Sequence, residues 1–244
     1  ILGRTGYPTG FMPPTLIARN ISCSRVSGAE TEEIVDLSVA FEPATLNLLF
    51  GPAHGGKALL LRVLGLLTEP SRGEVTILKQ PTGGWDESRR REFRNRHLGF
   101  VFESPFLLPS FTVVENIAMP LLKLTGAPPE QARKATRSVL GLTGLTPCEN
   151  IEADRLPLPL QLRVAVARAL VIKPAVVFLE NLDSLLRDEE LISFLELLSV
   201  IRQQFRCCLI ATAKSRELAP YANRALEIAN GRIARDWNPD SLLA

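Results

Sequence analysis

Apolar residues fall on alternate positions over residues 16–22 and 34–41, the period-two pattern of half-buried strands, and the acidic Glu30-Thr-Glu-Glu33 between them reads as their turn. These segments predict an antiparallel sheet near the N-terminus. Leu46-Asn-Leu-Leu-Phe50 is a short apolar run ending at Gly51, and residues 57–67 then place apolar side chains at helical spacing. The order is strand, glycine loop, helix. A turn at 70–73 leads into a strand at 74–78, a polar, arginine-rich helix covers 86–96, and Leu98-Gly-Phe-Val-Phe102 is a further apolar strand. From 112 to about 145 the spacing is helical, with a break at Gly126-Ala-Pro-Pro129. A helix over 161–172, a buried strand Ala175-Val-Val-Phe-Leu179, an amphipathic helix over 188–205 and a buried strand Cys207-Cys-Leu-Ile-Ala211 follow. Residues 224–236 read as a hairpin turning at Asn230-Gly231. Strands alternating with helices imply an α/β fold with a mostly parallel, covered sheet.

The chain has 244 residues, 46% hydrophobic and 22% charged, enough for one core with a smaller lobe inserted. A net charge of +2 gives no global field toward nucleic acid or an anionic membrane surface, and no nucleic-acid partner is expected. No apolar stretch approaches the roughly 20 residues that span a bilayer. Residues 1–14 lack the apolar block of a secretory signal and read as an extended tail. Cys23, Cys148, Cys207 and Cys208 have no metal-site spacing and read as reduced thiols. His54 and His97 have no third ligand nearby, so no metal site is expected. Trp85 and Trp237 stand beside polar residues and suggest no stacking platform, and Arg89, Arg90, Arg91, Arg94 and Arg96 read as a solvated helix face.

Gly51-Pro-Ala-His-Gly-Gly-Lys57-Ala58 fits a phosphate-binding loop in all but its last position. Gly51, Gly55 and Gly56 let backbone N–H groups turn toward phosphate oxygens, and Lys57 reaches the terminal phosphates. Ala58 lacks the hydroxyl that would bind magnesium.

With this loop in place, the chain over 16–236 resembles the ABC transporter ATPase family. Leu156-Pro-Leu-Pro-Leu-Gln-Leu-Arg-Val-Ala-Val-Ala-Arg-Ala-Leu170 resembles the family signature and its helix, and Lys173-Pro174 leads into the second acidic strand. Leu98-Gly-Phe-Val-Phe102 and Phe106-Leu-Leu-Pro-Ser-Phe-Thr-Val-Val-Glu-Asn-Ile-Ala-Met-Pro-Leu-Leu122 resemble the branch that serves lipoprotein release and macrolide export. The resemblance implies a P-loop NTPase fold of the ABC type: a mostly parallel sheet, an antiparallel N-terminal sheet and an inserted helical subdomain. On that pattern the core covers 15–103 and 161–236, the helical subdomain 104–160, and short tails 1–14 and 237–244.

The family's ATP-handling residues are replaced at several positions. Glu180 and Asn181 stand for the Asp and Glu that end the second acidic strand, and a carboxamide cannot act as a general base. Pro157-Leu158-Pro159 stands for Ser-Gly-Gly in the signature, deleting two N–H donors that would hold a γ-phosphate across the dimer. Glu103 replaces the glutamine that senses magnesium and water, and Ala213, followed by Lys214, replaces the switch histidine. The aromatic platform for adenine, expected near Ser24 to Val26, is missing, leaving only Arg25 to stack. These departures imply a pseudo-ATPase that requires no cofactor, with ATP or ADP held without turnover as the alternative.

The same resemblance implies a docking surface for a membrane subunit at Phe106, Leu107, Leu108 and Phe111. It places the chain as a peripheral subunit on the cytoplasmic membrane face, bound to a permease-like protein and paired with itself or a related ATP-binding subunit. The rival expectation is the non-consensus half of a heterodimeric exporter with one working site.

Overall fold

The computed structural model describes residues 13–27, 30–186 and 188–237. The tails expected over 1–14 and 237–244 thus lie outside the described residues, apart from Pro13, Pro14 and Trp237.

Alternating apolar side chains build β1 (Leu16–Ser27) and β2 (Glu30–Phe41), which pair antiparallel from Leu16 opposite Phe41 to Ser27 opposite Glu30. Here the acidic run departs from expectation. Glu30, Thr31, Glu32 and Glu33 form no turn; they continue β2, opposite Ser27, Val26, Arg25 and Ser24. Their backbone groups are used by the ladder, and Arg25 opposite Glu32 gives the pair opposite charges. β4 (Arg72–Ile77) pairs with the other edge of β1, and β5 (Gln80–Pro81) completes a four-stranded sheet ordered β2-β1-β4-β5.

The second sheet is built from β3 (Leu46–Phe50), β6 (Leu98–Val101), β7 (Val176–Leu179), β8 (Cys208–Thr212), β9 (Arg224–Ala229) and β10 (Arg232–Trp237). Its order is β10-β9-β3-β8-β7-β6, parallel except for the terminal β9–β10 hairpin. A parallel sheet buried on both faces needs apolar residues on both, and the strands supply them. Leu49, Val176, Phe178, Ile210 and Leu226 pack with α1 (Lys57–Leu64) and the antiparallel sheet. Leu48, Val177, Leu179, Leu209 and Ala211 belong to the opposite core, with α5 (Leu158–Leu170) and α7 (Asp188–Phe205).

α2 (Glu87–His97) starts at Asp86, whose carboxylate accepts the Arg89 N–H. Its arginines are largely engaged locally. Arg89 lies over the Trp85 ring at 4.4 Å, Arg90 pairs with Glu69, Arg94 with Glu87 and the Leu66 carbonyl, and Arg96 with Glu92. α3 (Val113–Pro120) opens with a capping box between Thr112 and Glu115. Past Pro120 the winding widens to a π turn, Leu121–Thr125, before α4 (Pro129–Thr143). Short α6 (Leu182–Leu185) follows β7.

The described cysteines are free and buried. Burial pushes the Cys207 thiol up to about 11 and Cys208 to about 12, from an ordinary 9.0. Because the folded values lie above the unfolded one, the stability these neutral thiols contribute is complete below about pH 9 and is withdrawn as pH climbs toward 11–12. A disulfide reagent at pH 8 is therefore expected to leave Cys207 and Cys208 unmodified in the folded chain and to label them once guanidinium unfolds it.

The β9–β10 turn meets β2 and the glycine loop through backbone atoms. Gly231, at φ +71°, donates its N–H to Gly55 O (3.1 Å) and accepts from Val35 N (2.9 Å), and a Cβ there would lie 2.6 Å from Glu33 O. Gly231→Ala is expected to cost roughly 1–3 kcal/mol, for a left-handed backbone and a clash with backbone that cannot rotate away. Gly126→Ala, at φ +64° with open space around it, is expected to cost only about 1 kcal/mol. Urea midpoints of the two variants check the difference.

Candidate functional site

The glycine loop occupies residues 51–56, between β3 and α1, and its glycines are required by packing as well as by any phosphate. A Cβ at Gly51 would lie 2.3 Å from Ile228 O, at Gly55 2.8 Å from the same oxygen, and at Gly56 2.4 Å from Glu33 O. Gly56, at φ +100°, also caps α1 in a conformation that side chains resist. Lys57 is the first residue of α1 and is buried. Its ammonium donates to Gly51 O (2.7 Å) and Pro52 O (2.6 Å), so the charge is satisfied by its own loop. Burial pulls its pKa below the ordinary lysine value, partly offset by the Glu32 and Asp183 carboxylates. Ala58 sits next to it, half-buried, with no donor or acceptor on its side chain.

Across the strand ends, two of the expected site positions, Glu103 and Asn181, come together. Asn181, just past β7, donates its Nδ2 to Glu103 Oε2 at 2.8 Å. Its backbone N–H donates to Thr212 Oγ1 (2.9 Å), and Thr212 Oγ1 lies 3.4 Å from Asn181 Oδ1 as donor. Asn181 adopts the left-handed region at φ 49°, which an Asn tolerates better than most residues. Asp183 accepts the N–H groups of Lys214 and Ser215, fixing the loop beyond β8. Ala213 is buried and donates its backbone N–H to Leu49 O (3.0 Å). Among the described residues, no group of three or more His, Cys, Asp or Glu is placed to hold a metal ion.

α5 begins at Leu158, three residues before the expected start at 161, because Pro157 takes the cap position and Pro159 the second place, where a missing N–H costs the helix nothing. Pro159 has no N–H, and the Leu160 N–H is already given to Pro157 O at 3.0 Å. Leu158 is exposed at this tip. Arg25 and Val26 are exposed on β1, with Val26 72% accessible, far from a covered adenine platform.

The loop 104–111 is held from two sides by residues not among the expected site residues. Arg168 of α5 donates to Phe106 O (2.6 Å) and Pro105 O (2.7 Å). Asn116 of α3, fully buried, accepts Leu108 N–H (2.9 Å) and donates to the carbonyls of Leu108, Phe111 and Thr112. Arg168 is the lone polar side chain between Val164 and Leu170, and Asn116 shares the buried face of α3 with Val113 and Ile117. A polar residue at an apolar position of the helical period is the signal that finds them. Held this way, the loop presents Phe106, 66% exposed at a left-handed φ of 45°, with its ring edge-on to Phe102 at 5.8 Å. A bulky residue in that backbone region is strained, and strain of this kind gathers at functional positions. Phe111 is also exposed, whereas Leu107 and Leu108 are half-buried, Leu107 against the core. The four are thus one loop with two outward rings and two inward anchors.

Asn116→Leu keeps the shape but strands Leu108 N–H, while the carbonyls of Leu108, Phe111 and Thr112 each keep a backbone N–H donor. It is expected to cost about 1–3 kcal/mol and to open the loop to proteases, with new cleavage between 104 and 112. A variant that melts and resists digestion like the native chain would remove Asn116 from this role.

A protein-family profile described as ABC transporter matches residues 34–182. The chain is similar to the lipoprotein-releasing system ATP-binding protein LolD of Bordetella avium (strain 197N), 35% identical over 205 residues, covering 84% of this chain and 89% of that one. LolD of Psychrobacter arcticus is 33% identical over 221 residues, covering 90% and 98%. Among solved structures, an ATP-binding cassette in a dimeric, post-hydrolysis state bound to ADP and Pi matches with a TM-score of 0.81 at 24% identity, over 92% of this chain and 98% of that one. The cbiO1 chain of Clostridium perfringens, part of the ABC transporter complex cbiONQ, matches with a TM-score of 0.84 at 18% identity, over 94% and 90%. These two likenesses concern the fold.

Proposed function

The chain belongs to the ABC transporter family of ATP-binding subunits, and on that premise we propose that it is a member that does not hydrolyse ATP at its own site. The observation that supports this most directly is Asn181. At the place where the family carries its catalytic glutamate, a carboxamide donates a hydrogen bond to Glu103, and it has no basic oxygen to offer a water. The prolines at the start of α5 and the bare methyl of Ala58 point the same way, one removing donors for a γ-phosphate, the other a ligand for magnesium.

The proposed role is structural or regulatory: a peripheral subunit docked on a permease-like membrane protein through Phe106, Leu107, Leu108 and Phe111. No helix among the described residues is long and apolar enough to cross a membrane, so such a partner would supply the span. The relatives are named as ATP-binding proteins of a lipoprotein-releasing system, and the branch match in residues 98–122 makes a membrane subunit of that kind the first partner to test. Pairing with a second copy or a related cassette, and the division into a core over 15–103 and 161–236 with a helical lobe over 104–160, belong to the same reading. A working site in a heterodimer is less well supported, because the partner's ATP would meet Pro157, Leu158 and Pro159.

A second reading, nucleotide held without turnover, is favoured by Gly51, Gly55, Gly56 and Lys57. Titration of a fluorescent ATP analogue with magnesium separates the two. No measurable affinity in either the native chain or Lys57→Ala is expected for a scaffold. Tight binding lost in Lys57→Ala would make the loop a live regulatory site. Phosphate release with the native membrane partner present, abolished by Lys57→Ala, would overturn the proposal.

A further inference from the structure

The helical lobe is joined to the core through two crossings, and the first leaves β6 at residues 102–105. Glu103, in that crossing, is bound at its Oε2 by Asn181 Nδ2, and Asn181 is bound in turn to Thr212 at the end of β8. The ends of three neighbouring strands, β6, β7 and β8, are thereby stitched side by side. Pro105 and Phe106, just beyond, are held by Arg168 of α5. We infer that Glu103 and Asn181 form a protein-only clip that fixes the crossing, and with it the loop 104–111, in the absence of any nucleotide.

The chemistry makes the two residues interdependent. A carboxylate only accepts, whereas a carboxamide both donates and accepts. Asn181 can therefore donate to Glu103 while its own oxygen faces the Thr212 hydroxyl, and both ends are satisfied. A carboxylate at 181 would face the one at 103 and repel it. Nearby charges do not compete for the pair. Asp183 is committed to the Lys214 and Ser215 N–H groups, and Lys57 to the carbonyls of Gly51 and Pro52. The left-handed backbone at 181 suits Asn and Asp alike, so the pair can be rewired without straining the chain.

The use of the clip, a docking loop held ready, rests on the proposed docking role, but the clip itself is tested without partner or nucleotide. Amide hydrogen exchange of residues 103–111 is compared in the purified chain and in Glu103→Gln, Asn181→Asp and the double variant. Glu103→Gln keeps an acceptor and is expected to exchange like the native chain. Asn181→Asp loses the donor and is expected to exchange about tenfold faster. The double variant rebuilds the bond with donor and acceptor reversed, because the carboxamide then stands at position 103 and the carboxylate at 181, and is expected to return to within about threefold of native. Exchange in β4, on the other sheet, reports whether the fold is intact. Should Asn181→Asp raise it, Glu103→Ala, which removes the acceptor without adding charge, replaces that variant with the same two outcomes. Native exchange in Asn181→Asp, or no recovery in the double variant, would overturn the inference. None of these results depends on whether the chain hydrolyses ATP or finds a membrane partner.

Discussion

Three backbones meet where the glycine loop touches β2 and the turn of the β9–β10 hairpin, and most of the architecture depends on that junction. Ile228 O, Glu33 O and Gly231 approach Gly51, Gly55 and Gly56 so closely that a single Cβ would collide with main chain. The antiparallel sheet, the parallel sheet and α1 are locked together there. This gives the loop a reason to keep its glycines that owes nothing to phosphate. A chain could lose every other feature of ATP handling and still be held to this sequence by packing alone.

That distinction organises the polar residues around the loop. Lys57 donates to carbonyls of its own loop, Asn181 to Glu103 and Thr212, and Asp183 accepts the N–H groups of Lys214 and Ser215. In a site built to receive a charged ligand, some donors and acceptors are left waiting for it. Here Lys57, Asn181 and Asp183 hold hydrogen bonds within the protein, and a ligand that takes one of these groups must first break its present bond.

Much of the fold is legible in the sequence, because burial on both faces leaves parallel strands no freedom of composition. Leu46 to Phe50 and Leu98 to Val101 fall where the apolar runs place them. Glu30 to Glu33 do not follow the pattern, since charge density marks a turn only when the backbone has no ladder to join, and β1 supplies one. The start of α5 differs too: the helical spacing starts it at 161, yet proline in a first turn gives up nothing and the helix begins at Leu158. The loop that presents Phe106 is visible as large apolar residues among prolines. What holds it is only half visible: Asn116 and Arg168 stand out as polar residues at apolar helical positions, but the backbone carbonyls they act on show in no side-chain pattern. The bond between Glu103 and Asn181 is hidden likewise. Each residue reads alone as a loss, and only their 2.8 Å contact makes them a pair.

The tethered ammonium of Lys57 has a consequence for affinity that is best put as a population. A nucleotide can engage this lysine only in the fraction of molecules whose side chain has left Gly51 O and Pro52 O. The apparent dissociation constant is the intrinsic one divided by that fraction. If the released form is on the order of one molecule in a hundred, a site with ordinary micromolar affinity would measure in the hundreds of micromolar. A loop that keeps the shape of a phosphate site can thus be a poor one at cellular ligand levels with no side chain removed from it at all.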